Sequence, residues 1–165
     1  MIKEGNIRAA LSQDLPRLHE IRRAAFEPVF ESFKNILGDN IYTMTQAPNE
    51  QAQKELLDQM VSDNSEWPTF VYKQDNGIIV GFVSMRLNNE KRIGEIGLNA
   101  VHPDYSGQGV GTEMYEFILQ EMKYKGMKLA TVGTGADASH DAARKAYAKA
   151  GFETELPSVW LCKLL

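Results

Sequence analysis

The sequence predicts an α+β fold, with a central mixed, mostly antiparallel β-sheet flanked by helices. Two strand-like runs, over 69–73 and 78–87, are joined by Gln74-Asp75-Asn76-Gly77, a strong hairpin signal. A polar turn over 88–92 then leads into a third run that starts near Ile93, and such short connections require antiparallel neighbours. Residues 95–112 next pass from strand through a glycine-rich loop into a helical pattern, and a further short strand at 129–132 lies between two helical stretches.

Taken in order, residues 7–11 read as a first strand. Ser12 is a suitable N-cap for a helix carrying the stripe Leu15, Leu18, Ile21 and Ala25. Pro28 and Gly38 bracket a second helical segment with Phe30, Phe33 and Leu37, and a further helix is expected over 50–61. After the hairpin and the glycine loop, a helix runs from Val110 to about Lys125, striped by Val110, Met114, Phe117, Ile118 and Met122 and closed by Gly126. Asp137 or Ser139 caps a last helix that ends at Gly151, with Asp141 near its start and Lys145 and Lys149 near its end to complement the dipole. Strands over 152–155 and 159–164, around Leu156-Pro157-Ser158, complete the expectation.

The 165 residues are expected to form one domain over 1–165, with no internal repeat or linker. A formal net charge of −4 gives no reason to expect nucleic-acid or anionic-membrane binding. The single Cys162 fits a reducing compartment and, in an apolar strand-like segment, is expected in the core. With no apolar run of membrane-spanning length, the plain expectation is a cytoplasmic protein. His19 and His102 lack metal-ligand spacing to another His or Cys, so no metal site is expected.

Chemistry concentrates between Glu95 and Thr112. Ile96, Leu98 and Ala100 fall on one side of an extended strand, and Glu95, Gly97 and Asn99 on the other. Pro103 ends the regular ladder at His102. Gly107, Gly109 and Gly111 allow tight folding and close approach of a ligand, and the helix that follows offers unpaired N–H groups and the positive end of its dipole. The junction is therefore either an anion site or a tight turn packed on a helix. It lacks the Gly-Lys-Ser/Thr of a phosphate-binding loop, because Gly111 is followed by Thr112 and Glu113, and its G-x-G-x-G spacing is not that of a dinucleotide fold.

These residues resemble the GNAT superfamily of N-acetyltransferases. The family's loop, Q/R-x-x-G-x-G/A, falls on Ser106, Gly109 and Gly111, after a hydrophobic-x-Pro that falls on Val101, His102 and Pro103. A second signature, roughly Asn-x-x-Ala-x-x-x-Tyr-x-x-x-Gly-Phe, falls on His140, Ala143, Tyr147, Gly151 and Phe152. Ser106 in place of Gln/Arg and His140 in place of Asn depart from the pattern. The first removes a long donor near the pyrophosphate but leaves the backbone intact.

The resemblance implies acetyl-CoA as co-substrate and a strand that splays from its neighbour at the cofactor site. Backbone N–H groups of Gly107, Gln108, Gly109, Val110, Gly111 and Thr112 would hold the pyrophosphate. Ala100, Val101 and His102 would offer freed backbone to pantetheine, with the Val101 N–H as oxyanion donor, and His140 would contact the cofactor or simply occupy a first helical turn. Glu95 matches a strand glutamate that serves as general base in histone-acetylating members, or is a solvated strand residue. Tyr147 matches a tyrosine that donates to the cofactor sulfur, or packs with one satisfied hydroxyl. Phe26, Phe30, Phe33, Tyr42 and Trp67 line an acceptor cleft or belong to the core.

The implied function is acetyl transfer to a primary amine of a small molecule or peptide. The acceptor stays open among polyamine, amino acid, aminoglycoside and protein N-terminus, and dimers are common in the family. A non-catalytic acyl-CoA-binding sensor or interaction module is the alternative, although a pure binder needs neither Glu95 nor Tyr147.

Overall fold

The computed structural model describes residues 6–165. Its sheet has five strands in the order β1-β2-β3-β4-β5, so every strand lies beside its sequence neighbour. The strands are β1 (Ile7–Ala9), β2 (Thr69–Lys73), β3 (Ile79–Asn88), β4 (Ile93–Val101) and β5 (Leu129–Val132). The first four pair antiparallel, as the short connections require, and β4 pairs parallel with β5.

Two helices on each face build two apolar layers. On one side α1 (Leu15–Thr45) and α2 (Ala47–Met60) bury Leu18, Ile21, Leu57 and Val61 against Val71, Phe82 and Ala100. On the other, α3 (Val110–Tyr124) and α4 (Asp141–Lys149) bury Val110, Met114, Ile118, Met122 and Tyr147 against Val83, Met85 and Ile96. Burial of this kind contributes about 1.5–3 kcal/mol per large side chain, and so fixes which face each strand presents.

Local differences from the sequence reading have physical causes. Residues 12–14 form a 3₁₀ turn whose cap is Leu11, not Ser12, because the Asp14 carboxylate accepts from the Leu11 N–H at 2.8 Å and from both Arg8 terminal nitrogens at 2.7 and 2.9 Å. Pro28 sits inside α1 rather than starting a helix, and the break falls at Gly38, whose φ of 73° and ψ of 164° leave the helical region. The expected strands over 152–155 and 159–164 are absent: residues 153–165 are irregular and exposed, and Cys162 lies outside the core. A strand needs an edge to pair with, and this segment meets none among the described residues.

One irregularity reorganises β4. Ile96 faces Met85 and Asn99 faces Val83, so Gly97 and Leu98 together oppose Ser84 in a β-bulge. Beyond it the alternation is inverted. Ile96 and the Asn99 side chain lie on the α3/α4 side, whereas Leu98 and Ala100 join the α1/α2 layer. The expected grouping of Glu95, Gly97 and Asn99 on one face therefore fails at Asn99. A Cβ on Gly97 would stand 2.3 Å from the Trp67 ring and 2.7 Å from Ser84 Oγ, so only glycine fits the bulge beneath Trp67. Gly97→Val is expected to lower stability by roughly 1–3 kcal/mol, the usual cost of overpacking, in urea unfolding. An unchanged midpoint would mean that the Trp67 ring moves aside freely.

Candidate functional site: the parting of β4 from β5

β4 and β5 pair only over Ile93–Ile96 and Leu129–Val132, and from Gly97 to Val101 β4 has no partner on that side. The strands thus part at the bulge, and a cavity of about 430 Å³ lies against the freed end of β4. The N-terminus of α3 forms one wall, α4 another, and Ala25, Phe26 and Val29 of α1 a third. Of the residues expected at a cofactor site, Ala100, Val101, Gly107, Gly109, Val110, Gly111, Thr112 and His140 line it. Gln108, His102, Glu95 and Tyr147 do not.

Backbone commitments explain part of that division. The His102 N–H donates to Val80 O at 2.8 Å, so the antiparallel alternation ties His102 and Ala100 to β3 and turns the N–H and C=O of Asn99 and Val101 away from it. Of the three residues expected to offer free backbone, Val101 alone does so, and Asn99 is its companion. Gln108 turns back, its Nε2 donating to Asp104 O at 3.2 Å.

Gly107 and Gly109 have φ of 75° and 88°, with no atom within 4 Å of an added Cβ, so the loop is an open concave strip of backbone. It leads into the first turn of α3, where Val110, Gly111 and Thr112 have N–H groups without intrahelical partners. Lys145 and Lys149 of α4 also line the cavity. Sequence reasoning assigned these lysines only to the helix dipole. Unpaired N–H groups, a helix N-terminus and two lysines, of which Lys145 pairs with Asp141 at 2.8 Å, fit a pyrophosphate. The long Gln/Arg side chain that Ser106 replaces is not needed for that fit.

At the inner end, Asn99 joins two tyrosines. Tyr115 donates to Asn99 Oδ1 at 2.7 Å, and Asn99 Nδ2 donates to Gly97 O at 2.9 Å and to Tyr147 Oη at 3.1 Å. The two rings stack with centroids 4.5 Å apart, and Tyr147 is only 6% exposed. Burial pushes the Tyr147 phenol above its ordinary range, and pushes Tyr115 well above it with help from the neighbouring Tyr147. Both stay protonated at neutral pH. Tyr115 takes the short bond to Asn99 Oδ1, whereas Tyr147 reaches that oxygen only at 3.4 Å. The Tyr147 proton is therefore the less engaged of the two. Sequence reasoning missed both Asn99 and Tyr115 here. The available signal was a carboxamide within an apolar strand and a tyrosine one turn beyond Gly111.

The outer wall centres on Asp137. His140 Nδ1 lies 2.7 Å from Asp137 Oδ1, Ser32 of α1 donates to Oδ2 at 2.8 Å, and the Ser139 hydroxyl makes a short bond to the same oxygen. Burial alone would raise the Asp137 pKa, but the bonds from Ser139, Ser32 and His140 outweigh it and hold the carboxyl well below the usual range. Phe33 stacks on the His140 ring at 5.8 Å. A Cβ on Gly135 would stand 2.4 Å from His140 Nδ1, so glycine makes room for the pair. His140 thus lies in the wall as expected, with Nδ1 already engaged.

Glu95 stands apart. Its carboxylate pairs with Arg86 Nη2 at 2.8 Å with 44% of the side chain exposed, and the Arg86 guanidinium lies 4.8 Å above the Trp67 ring. Of the aromatics expected near the cleft, Phe26 lines it, Phe33 holds His140 and Phe30 is buried. Among the described residues no group of His, Cys, Asp and Glu is placed to hold a metal ion, and no helix is long and apolar enough to cross a membrane.

A sheet parted beside a glycine loop at a helix N-terminus offers a cradle for an extended, phosphate-bearing ligand. The chain belongs to the acetyltransferase (GNAT) family, whose profile matches residues 17–152. Among curated proteins no sequence matches. Among solved structures, the chain is similar to PaiA N-acetyltransferase from Thermoplasma acidophilum in complex with coenzyme A, with TM-score 0.69 and 18% identity over 90% of this chain and 89% of that one. It is also similar to a GNAT family acetyltransferase from Brucella melitensis in complex with acetyl-CoA, with TM-score 0.61 and 20% identity over 90% and 82%. A third is the aminoglycoside acetyltransferase meta-AAC0020 from an uncultured soil metagenomic sample in complex with sisomicin, with TM-score 0.60 and 23% identity over 96% and 95%. At these identities the likenesses establish the fold.

Because Asp137 is held below its unfolded value of about 3.9, its contribution to stability is complete above that pH and is lost as pH falls toward the folded value. Asp137→Asn is accordingly expected to lower the melting temperature at pH 7, with the gap from wild type closing below about pH 4. Calorimetry across pH measures this, and a gap independent of pH would show that the carboxylate charge is not what holds the wall.

Proposed function

We propose that residues 1–165 act as a single acetyl-CoA-dependent N-acetyltransferase domain. The acetyl group passes directly to a primary amine of a small molecule or peptide. The observation that carries this reading is the Asn99–Tyr147 contact, which holds a protonated phenol just behind Asn99 and Tyr115 of the cavity wall. The acetyl-CoA and coenzyme A complexes among similar structures support the cofactor, and the sisomicin complex supports an amine acceptor.

Bound acetyl-CoA supplies an electrophilic thioester carbonyl and a thiol leaving group. The α3 N-terminus and the N–H groups of residues 107–112 hold its pyrophosphate, with Lys145 and Lys149 beside them. The turned-out backbone of Val101 and Asn99 accepts the pantetheine arm, and the Val101 N–H donates to the carbonyl oxygen as negative charge grows there. Glu95 takes the proton from the ammonium, through water because Arg86 occupies its carboxylate, and so frees the amine lone pair for attack. As the C–N bond forms and the C–S bond breaks, Tyr147 gives its proton to the departing sulfur, while Asn99 and Tyr115 hold the ring in place. It regains one, through solvent, as the nitrogen sheds its second proton to become the amide. A cytoplasmic setting is the reading that the single Cys162 supports.

Tyr147→Phe keeps the stacked ring and removes the proton. It is expected to lower single-turnover transfer on the order of 10²-fold, with acetyl-CoA affinity nearly unchanged. Transfer at the wild-type rate would make Tyr147 a packing residue. Glu95→Gln is expected to lower turnover by about 10²–10⁴-fold at neutral pH, with a smaller loss at high pH, where more of the amine is already neutral. Wild-type rates across the whole range would return Glu95 to its ion pair with Arg86 and leave it no part in the chemistry.

A further inference from the structure

Arg86 and Glu95 are direct cross-strand partners on β3 and β4, and the carboxylate is bonded through one oxygen only. Arg86 Nη2 donates to Oε2 at 2.8 Å, whereas Oε1 has no partner among the described residues. The guanidinium rests 4.8 Å from the centroid of the Trp67 ring, where the ring quadrupole attracts it. Trp67 is itself held fast. Its backbone N–H donates to Ser65 Oγ at 3.0 Å, its carbonyl accepts from Thr69 Oγ1 at 2.9 Å, and its ring covers Gly97 so closely that no side chain fits there.

These contacts run in a chain from the bulge to the carboxylate: Gly97 seats Trp67, Trp67 carries Arg86, and Arg86 holds Glu95. An exposed ion pair contributes little to stability, and both side chains are about half exposed, at 52% and 44%. What the pair restricts is conformation, because a glutamate side chain turns about several bonds and no second hydrogen bond limits this one. We propose that Arg86, seated on Trp67, is a positioning residue for the transfer reaction. It fixes the Glu95 carboxylate by Oε2 and leaves Oε1 to receive the proton of the acceptor ammonium. A water takes that proton from nitrogen as it gives one of its own to Oε1.

The place of Glu95 on its strand explains why positioning matters. Glu95 still pairs with Thr131 of β5, and β4 loses that partner from Gly97 onward. Two residues of strand span about 7 Å, so a short chain of waters joins Glu95 to the freed end of β4 although it does not line the cavity. A carboxylate that swings among rotamers would complete the water chain only part of the time, and misplacement by about 1 Å can cost up to ~10²-fold in rate. Lysine is a poor substitute for Arg86, because an ammonium lacks the planar face that stacks on the indole. The inference rests on the reading of Glu95 as general base.

Turnover is measured with whichever of putrescine, lysine, alanyl-alanine and sisomicin the wild type acetylates fastest. Arg86→Ala is expected to lower kcat about 10-fold while keeping the stabilisation by acetyl-CoA, and Arg86→Lys should recover only part of the loss. In a Glu95→Gln background Arg86→Ala should cost nothing further, because no base remains to position. A spectroscopic readout is independent of turnover. In Trp160→Phe protein, whose indole fluorescence reports Trp67 alone, Arg86→Ala and Glu95→Gln should each open the ring to acrylamide quenching, since each frees the face that the guanidinium covers. Arg86→Ala at the wild-type rate, or an equal loss in both backgrounds, would overturn the proposal and leave Glu95 as the base. Quenching unchanged by Arg86→Ala would overturn it as well, since the ring would then not carry the guanidinium. Glu95→Gln at the wild-type rate would instead remove the general-base reading, and the proposal with it.

Discussion

Everything at the site depends on β4 keeping β3 as a neighbour after it has lost β5. Four residues of parallel pairing hold the two strands together, and the bulge at Gly97 and Leu98 then re-aims β4 before they part. Without the bulge, Asn99 would point into the α1/α2 layer and the tyrosines of α3 and α4 would have no carboxamide to hold. Without the parting, the Val101 backbone would be spent on a neighbouring strand. A small irregularity in one ladder therefore supplies both the opening and its inner polar group.

The two polar clusters have different electrostatic characters. Asn99 with Tyr115 and Tyr147 is neutral and largely buried, which keeps both phenols protonated without a fixed charge nearby. Asp137 with Ser32, Ser139 and His140 is an anion held by three side-chain donors, and Arg144 reinforces the same loop through bonds of 2.6 Å to Gly135 O and 2.8 Å to Asp137 O. The first arrangement fixes a carboxamide and two stacked rings without a charge. The second suits a wall that must keep its shape.

Much of this was legible in the sequence where the signal is local. The hairpin, the glycine loop, the start of α3 and the placement of Tyr147 follow from short-range pattern, because turn chemistry and helix periodicity act over a few residues. The face of Asn99 was not legible, since it depends on the register of β4 against β3, and alternation read along one strand does not reveal a bulge in the pair. Nor did pattern alone reveal that Arg86 occupies Glu95 or that His102 is tied to Val80. Residues 153–165 show the opposite case: an apolar run of strand length is present, but whether it becomes a strand depends on an edge that local sequence does not specify.

The outer wall also bears on the order in which the molecule assembles. Ser32 and Asp137 are 105 positions apart, whereas each strand of the sheet lies next to its sequence neighbour. One hydrogen bond, at a net gain of about 1 kcal/mol, does not offset the entropy of closing so long a loop from an open chain. The Ser32–Asp137 and Phe33–His140 contacts therefore form only after the locally connected strands have brought α1 and α4 to opposite sides of one sheet. The cavity closes as a late event in folding, and any opening that unseats α1 from the turn at 137–140 can leave the sheet intact.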